Sequence, residues 1–152
     1  MENGEKNGKL IEILLVEDNP SDVELTLRAF KKKNLENKIH VVTDGEQALD
    51  FIFCRGIYSN RSIATPPKIV ILDLKLPMVD GKEVLRRIRE DARTRVIPVV
   101  ILTSSQEESD VIASYNLGVN SYIVKPVDFE KFGETIAQLS WYWIFVNKPP
   151  VF

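Results

Sequence analysis

Two short runs, Ile69-Val70-Ile71-Leu72 and Val99-Val100-Ile101-Leu102, are apolar at every position. A strand with one wet face alternates polar and apolar residues. A strand that is apolar on both faces belongs in a parallel sheet covered by helices on both sides. That requirement points to an α/β architecture, and the rest of the chain keeps the same beat of short apolar run and longer amphipathic segment. Residues 10–16 read as a first strand. Residues 20–33 read as a helix, with Asn19 as N-cap, Pro20 at the first helical position and an apolar face of Val23, Leu27 and Phe30. Residues 39–43 form the second strand and 45–54 the second helix, with Ala48, Leu49, Ile52 and Phe53 inward. A polar loop, 55–67, leads to the third strand at 68–72. Residues 81–90 are a helix, 98–102 a strand, and 107–117 a helix that stops at Gly118, a residue suited to the C′ position. A fifth strand at 121–124 and a last helix from 129 to about 145 complete the series. Five strand–helix repeats predict one doubly wound domain, a five-stranded parallel sheet with helices on both faces.

That domain is assigned to residues 10–146. Residues 1–9 are expected to be disordered or extended and 147–152 to form a tail, which leaves no room in the 152-residue chain for a separate output domain. A content of 44% hydrophobic and 28% charged residues excludes general disorder. A net charge of -2 gives no electrostatic reason to expect nucleic acid or a membrane surface as partner. The run Lys31-Lys32-Lys33 suits the C-terminal turn of the first helix, where positive charge meets the dipole. The single cysteine, Cys54, allows no disulfide within the chain, which favours a reducing compartment. One histidine, His40, makes neither a dedicated metal site nor a Ser-His pair and reads as structural. Asn60-Arg61-Ser62 matches a glycosylation acceptor only in a secreted protein. The polar start lacks a signal-peptide core and no apolar run reaches membrane-spanning length, so the cytoplasm is expected.

In an open parallel sheet, ligands bind beyond the carboxyl ends of the strands. Strand one ends in Glu17-Asp18, strand three in Asp73, strand four in Thr103-Ser104 and strand five in Lys125-Pro126. Three carboxylates, two hydroxyls and a lysine are thereby expected on one edge. Clustered carboxylates repel, and a hard divalent cation relieves the repulsion. Magnesium is expected there, with manganese as a substitute, and magnesium with Lys125 would balance the three carboxylates. A carboxylate can attack phosphorus to form an aspartyl phosphate, in catalysis that is mostly positioning and charge neutralisation. Asp73, at the end of the middle strand, is the candidate nucleophile. Asp18, with Glu17 directly or through water, is the candidate metal site; Lys125 and Thr103 would meet phosphoryl oxygens. Taken singly, Asp18 and Thr103 also read as helix caps and Lys125 as a surface lysine. Their joint placement at four strand ends is what carries the functional reading.

The segments Ile13-Leu14-Leu15-Val16-Glu17-Asp18-Asn19, Leu72-Asp73-Leu74-Lys75-Leu76-Pro77-Met78-Val79-Asp80-Gly81, Ile97-Pro98-Val99-Val100-Ile101-Leu102-Thr103 and Tyr122-Ile123-Val124-Lys125-Pro126 resemble the response-regulator receiver domain of two-component signalling. The likeness covers residues 10–139, and it implies the flavodoxin-like strand order 2-1-3-4-5. It implies a stand-alone switch, not an enzyme acting on other substrates, that takes a phosphoryl group from a histidine kinase on Asp73. It implies magnesium on Asp18, Asp73 and the Lys75 backbone carbonyl with Glu17 beside them, Thr103 and Lys125 as coupling pair with Ser104 near, and a cis bond before Pro126. It further implies that Thr103 moves toward the phosphoryl group and lets Tyr122 turn inward, which switches a face built from helix four, strand five and helix five. Val111-Ile112-Ala113-Ser114-Tyr115-Asn116-Leu117-Gly118-Val119-Asn120, the long loop after helix two and the aromatic tail resemble the small regulators that serve bacterial phytochromes. A phytochrome-type kinase is the partner implied. Lys75 departs from the Asn or Met common at its position. In the last helix, Phe129, Phe132, Ile136, Leu139 and Trp143 fit one core stripe, whereas Trp141, Tyr142 and Phe145 point elsewhere. They are the candidate surface of a homodimer, a state the resemblance also implies.

Two other readings compete. One is a binding module that keeps the fold but works without phosphorylation, which the full set of acidic, hydroxyl and lysine residues argues against. The other is a phosphatase with an aspartate nucleophile. Such enzymes resemble a pattern with a second Asp two residues after the first, where this chain has Lys75, so a general acid is missing.

Overall fold

A computed structural model of the chain describes residues 5–6, 9–125 and 128–150. Five parallel strands, β1 (Ile13–Val16), β2 (Ile39–Val42), β3 (Ile69–Leu72), β4 (Val99–Thr103) and β5 (Ser121–Val124), pair in the order β2-β1-β3-β4-β5. Ile13 faces Ile39 on one side and Ile69 on the other; Val70 faces Val99 and Val100 faces Ser121. Helices α1 (Pro20–Lys32), α2 (Gly45–Ile52), α3 (Gly81–Glu90), α4 (Glu108–Asn116) and α5 (Phe129–Trp141) alternate with the strands. This is the doubly wound fold expected. Near the amino terminus, Glu5–Lys6 and Lys9–Leu10 form a short antiparallel ladder.

The period of two along each strand divides the core. Leu14, Val16, Val70, Leu72, Val99 and Ile101 point to the side of α2 and α3, where they meet Ala48, Leu49, Ile52, Val84, Leu85 and Ile88. Ile13, Leu15, Ile69, Ile71, Val100 and Leu102 point to the side of α1 and α5, against Phe30, Phe132, Ile136 and Ala137. Strands β1, β3 and β4 are buried throughout, which is why their sequences show no polar alternation. Side-chain caps fix four helix starts at the carboxyl edge of the sheet. Asn19 accepts from the amides of Ser21 and Asp22, Asp44 from Gln47, Asp80 from Lys82 and Glu83, and Asp128 from Glu130 and Lys131.

Three details depart from the periodic reading. The inward residues of α1 are Asp22, Thr26 and Phe30, while Val23 and Leu27 are half-buried. In α2, Phe51 is buried and Phe53 only partly so. Beyond α5 the chain makes one wide π-type turn, Tyr142–Val146, whose extra residue changes the helical phase and sends Ile144 into the core. Trp143 is half-buried, and Trp141, Tyr142 and Phe145 stay exposed as expected. The side chain of Phe129 and the Lys125–Pro126 bond lie outside the described residues. His40 is structural: its ring stacks on Phe51 at 4.8 Å and its Nε2 lies 2.9 Å from the Tyr58 hydroxyl.

Candidate functional site: an acidic pocket closed by a lysine

The carboxyl ends of β1, β3 and β5 meet in one pocket because β1 and β3 are neighbours and the chain leaves the sheet on the same edge at each strand. The Lys125 ammonium lies 2.8 Å from Glu17 Oε1 and 3.1 Å from Asp73 Oδ2. It also lies 2.8 Å from Oδ2 of Asp22, on the first turn of α1. Glu17 and Asp73 are buried, at 2% and 7% exposure, whereas Asp18 opens to solvent. Backbone groups orient the acids. Glu17 Oε2 accepts from the Asn19 amide at 3.2 Å, and Asp73 Oδ1 accepts from the Lys75 amide at 3.4 Å. The Lys75 side chain itself is exposed.

Thr103 ends β4 fully buried, its Oγ1 accepting from the Ser105 amide at 3.4 Å. Ser104, the other hydroxyl expected at this strand end, is exposed, and Ser105 is the buried one. Tyr122 is half-buried, packs against the α2–α3 side of the core and donates to the Ser105 carbonyl at 3.0 Å. Sequence reasoning missed Asp22. The signal lay in the spacing Asp22-Thr26-Phe30, a second stripe one residue out of phase with Val23 and Leu27.

Electrostatics set the character of the pocket. Burial pushes the Glu17 carboxyl up to about 7; the nearby Asp73 charge adds to this, and the Lys125 hydrogen bond only partly offsets it. Burial also opposes the Lys125 charge, but hydrogen bonds to Asp22 and Glu17 outweigh it and hold the ammonium above the ordinary lysine range. One lysine thus serves three buried or half-buried acids, an excess of negative charge.

One ligand oxygen from each of Glu17, Asp18 and Asp73 lies within 4.8 Å of the others. These are hard oxygen donors on an open-sided pocket, and a small divalent cation that keeps part of its water shell fits them. A pH dependence follows. In the metal-free protein, the raised Glu17 pKa contributes stability that is full below about 4.5 and lost as pH rises through about 7. A cation needs the ionised carboxylate, so its affinity should fall roughly tenfold per pH unit below that point where one proton competes. Calorimetric titration with manganese at pH 6 and 8, in buffers of different ionisation enthalpy, should show this loss and the release of about one proton to the buffer at pH 6. Equal affinity at both values would contradict it.

Residues 13–137 match the response regulator receiver domain family, and the chain belongs to that family. Among its relatives is the probable methanogenesis regulatory protein FilR2 of Methanothrix harundinacea, 41% identical over 138 residues that cover 91% of this chain and 86% of FilR2. Response regulator Rcp1 of Synechocystis sp. is 36% identical over 87% of this chain and 88% of its own length. The crystal structure of its manganese-bound form superposes with a TM-score of 0.81, covering 91% of this chain and 97% of that one. The phosphorylated cyanobacterial phytochrome response regulator RcpA superposes with a TM-score of 0.82 at 35% identity, covering 91% and 96%. Within its family the chain therefore sits close to small regulators of the phytochrome-associated kind. Among the described residues, no helix is long and apolar enough to cross a membrane.

Proposed function

We propose that the chain is a phosphorylation-driven switch. It takes a phosphoryl group from a sensor histidine kinase, of phytochrome type, on Asp73. The transfer breaks the N–P bond of the phosphohistidine and forms an Oδ–P bond on Asp73, and the freed imidazole keeps the electron pair. Magnesium, or manganese in its place, would be held by Asp18, Asp73 and the Lys75 carbonyl, with Glu17 direct or through water. When bound it supplies charge neutralisation at the phosphoryl oxygens. The observation that carries the reading is the placement of the Lys125 ammonium 3.1 Å from Asp73 Oδ2, where it can follow charge from carboxylate to phosphoryl oxygen. Thr103, with Ser104 beside it, supplies hydroxyl donors at the same edge. Tyr122 links that edge to a partner-binding face on α4, β5 and α5, where Ile112, Tyr115 and Val124 are exposed. The reading places the chain in the cytoplasm with the kinase's catalytic part. Trp141, Tyr142 and Phe145, each close to half exposed, are the surface of a homodimer.

The test is incubation with magnesium and acetyl phosphate, followed by intact mass and peptide mapping. One phosphoryl group on Asp73 is expected on the wild type and none on Asp73→Asn; an unmodified wild type would sink the reading. Sedimentation of the same samples, with Trp141→Ala and Phe145→Ala alongside, reports whether the aromatic surface makes the dimer.

A further inference from the structure

Helix α4 is poorly seated. Its one buried residue is Ser114, and the Ser114 hydroxyl has no hydrogen-bond partner among the described residues. Ile112 and Tyr115 face outward at 54% and 52% exposure. Apolar burial therefore does little to hold this helix or the turn that leads into it. Polar contacts supply the hold. Asp110, in the first turn of α4, accepts from Ser105 Oγ at 2.6 Å and pairs with the Lys82 ammonium on α3. The Ser105 hydroxyl also accepts from the Glu107 amide at 3.4 Å. The Ser105 carbonyl receives the Tyr122 hydroxyl, and its amide reaches Thr103 Oγ1. One residue of the turn thus touches the strand-end threonine, the half-buried tyrosine and the helix. The chain of bonds runs Tyr122, Ser105, Asp110, Lys82, and its charged end is anchored on α3 rather than on Asp73. Lys82 and Asp110 also line the same open cavity as Asp18 and Lys75, at the mouth of the acidic pocket.

We infer that Asp110 is a positioning residue for the phosphoryl site: through Ser105 and Lys82 it fixes the turn after β4, and so orders Thr103 and Tyr122 on the pocket wall independently of Asp73. This rests on the phospho-acceptor reading. If the ordered turn is the form that a phosphoryl group prefers, linkage requires that loosening the turn weakens binding of a phosphoryl mimic by the factor by which order is lost.

The experiment measures the affinity of the magnesium-loaded protein for trifluoroberyllate, a mimic of the phosphoryl group on a carboxylate. Wild type, Asp110→Ala, Asp110→Asn and Lys82→Met are compared, each also titrated with magnesium alone. Asp110→Ala should bind the mimic at least about fivefold more weakly. Lys82→Met should show part of that loss, and Asp110→Asn, which keeps an acceptor for Ser105, should recover part of it. Magnesium affinity should change less than affinity for the mimic, and backbone amides of residues 104–107 should exchange faster in the weakened variants. Should Asp110→Ala not fold, Lys82→Met at a half-exposed site carries the test. Variants that bind the mimic as well as wild type, or better, overturn the inference. A wild type that binds no mimic at all instead overturns the phospho-acceptor reading.

Discussion

Lys125→Met should lower the melting midpoint of the chain in chelator by about 10 °C, and millimolar magnesium or manganese should restore most of it. Methionine keeps the stem of the side chain, so the change is one of charge. In the wild type the ammonium is the cation shared by Glu17, Asp22 and Asp73, at 14% side-chain exposure. Removing one partner from a buried ion cluster typically costs about 3–5 kcal/mol, because the charges left behind stay desolvated and unpaired. Here the remaining groups are acids that repel one another. A divalent cation on Glu17, Asp18 and Asp73 would replace the lost charge, so the variant should also bind the metal several-fold more tightly than wild type, where lysine and metal compete for the same oxygens. Phosphoryl acceptance should nevertheless fall by about 10² or more, since the metal cannot stand where the lysine meets the transferred group. Melting by circular dichroism with and without metal, with acetyl-phosphate labelling on the same preparations, reads all three. A midpoint that neither falls in chelator nor responds to metal would mean that Lys125 is not the counter-charge of the cluster.

The fold was legible because its determinants are local. Doubly apolar runs, the caps Asn19 and Gly118, and Pro20 at a helix start each announce themselves within a few residues, and handed crossovers leave a handful of topologies. The site was legible for a related reason: strand ends are local features, and the topology brings them together without further information. What stayed hidden depends on phase or on distance along the chain. Asp22 faces inward because Lys125, 103 residues away, gives it a partner. Without that partner, Val23 and Leu27 make the better stripe. Ser105 rather than Ser104 is buried because β4 runs one residue further than its apolar run, through Thr103. The wide turn after α5 moved Ile144 inward where a regular helix favours Trp143. The Lys82–Asp110 pair joins two helices 28 residues apart and has no sequence signature.

Gly81→Ala should destabilise the chain by about 3 kcal/mol, a fall of roughly 10 °C in melting midpoint, and should impair phosphoryl acceptance along with stability. Gly81 opens α3 directly behind Asp73, its amide donating to the Leu74 carbonyl at 2.8 Å. A Cβ there would stand 2.3 Å from the Asp73 carbonyl oxygen and 2.6 Å from the Cα of Leu74. Both obstacles are backbone, so no side chain can rotate away, and relief must come from moving the start of α3 or the end of β3. The second movement displaces Asp73 from Lys125, which is why function should fall with stability. Gly56→Ala is the informative control. Gly56 sits at φ +59°, and a methyl group added there would come no closer than 3.6 Å to its nearest neighbour, the Asp50 carboxylate, so the substitution meets backbone strain but no collision. It should cost about 1 kcal/mol and leave labelling of Asp73 intact. If Gly81→Ala melts no lower than Gly56→Ala, the close approach of α3 to the end of β3 is not what seats Asp73.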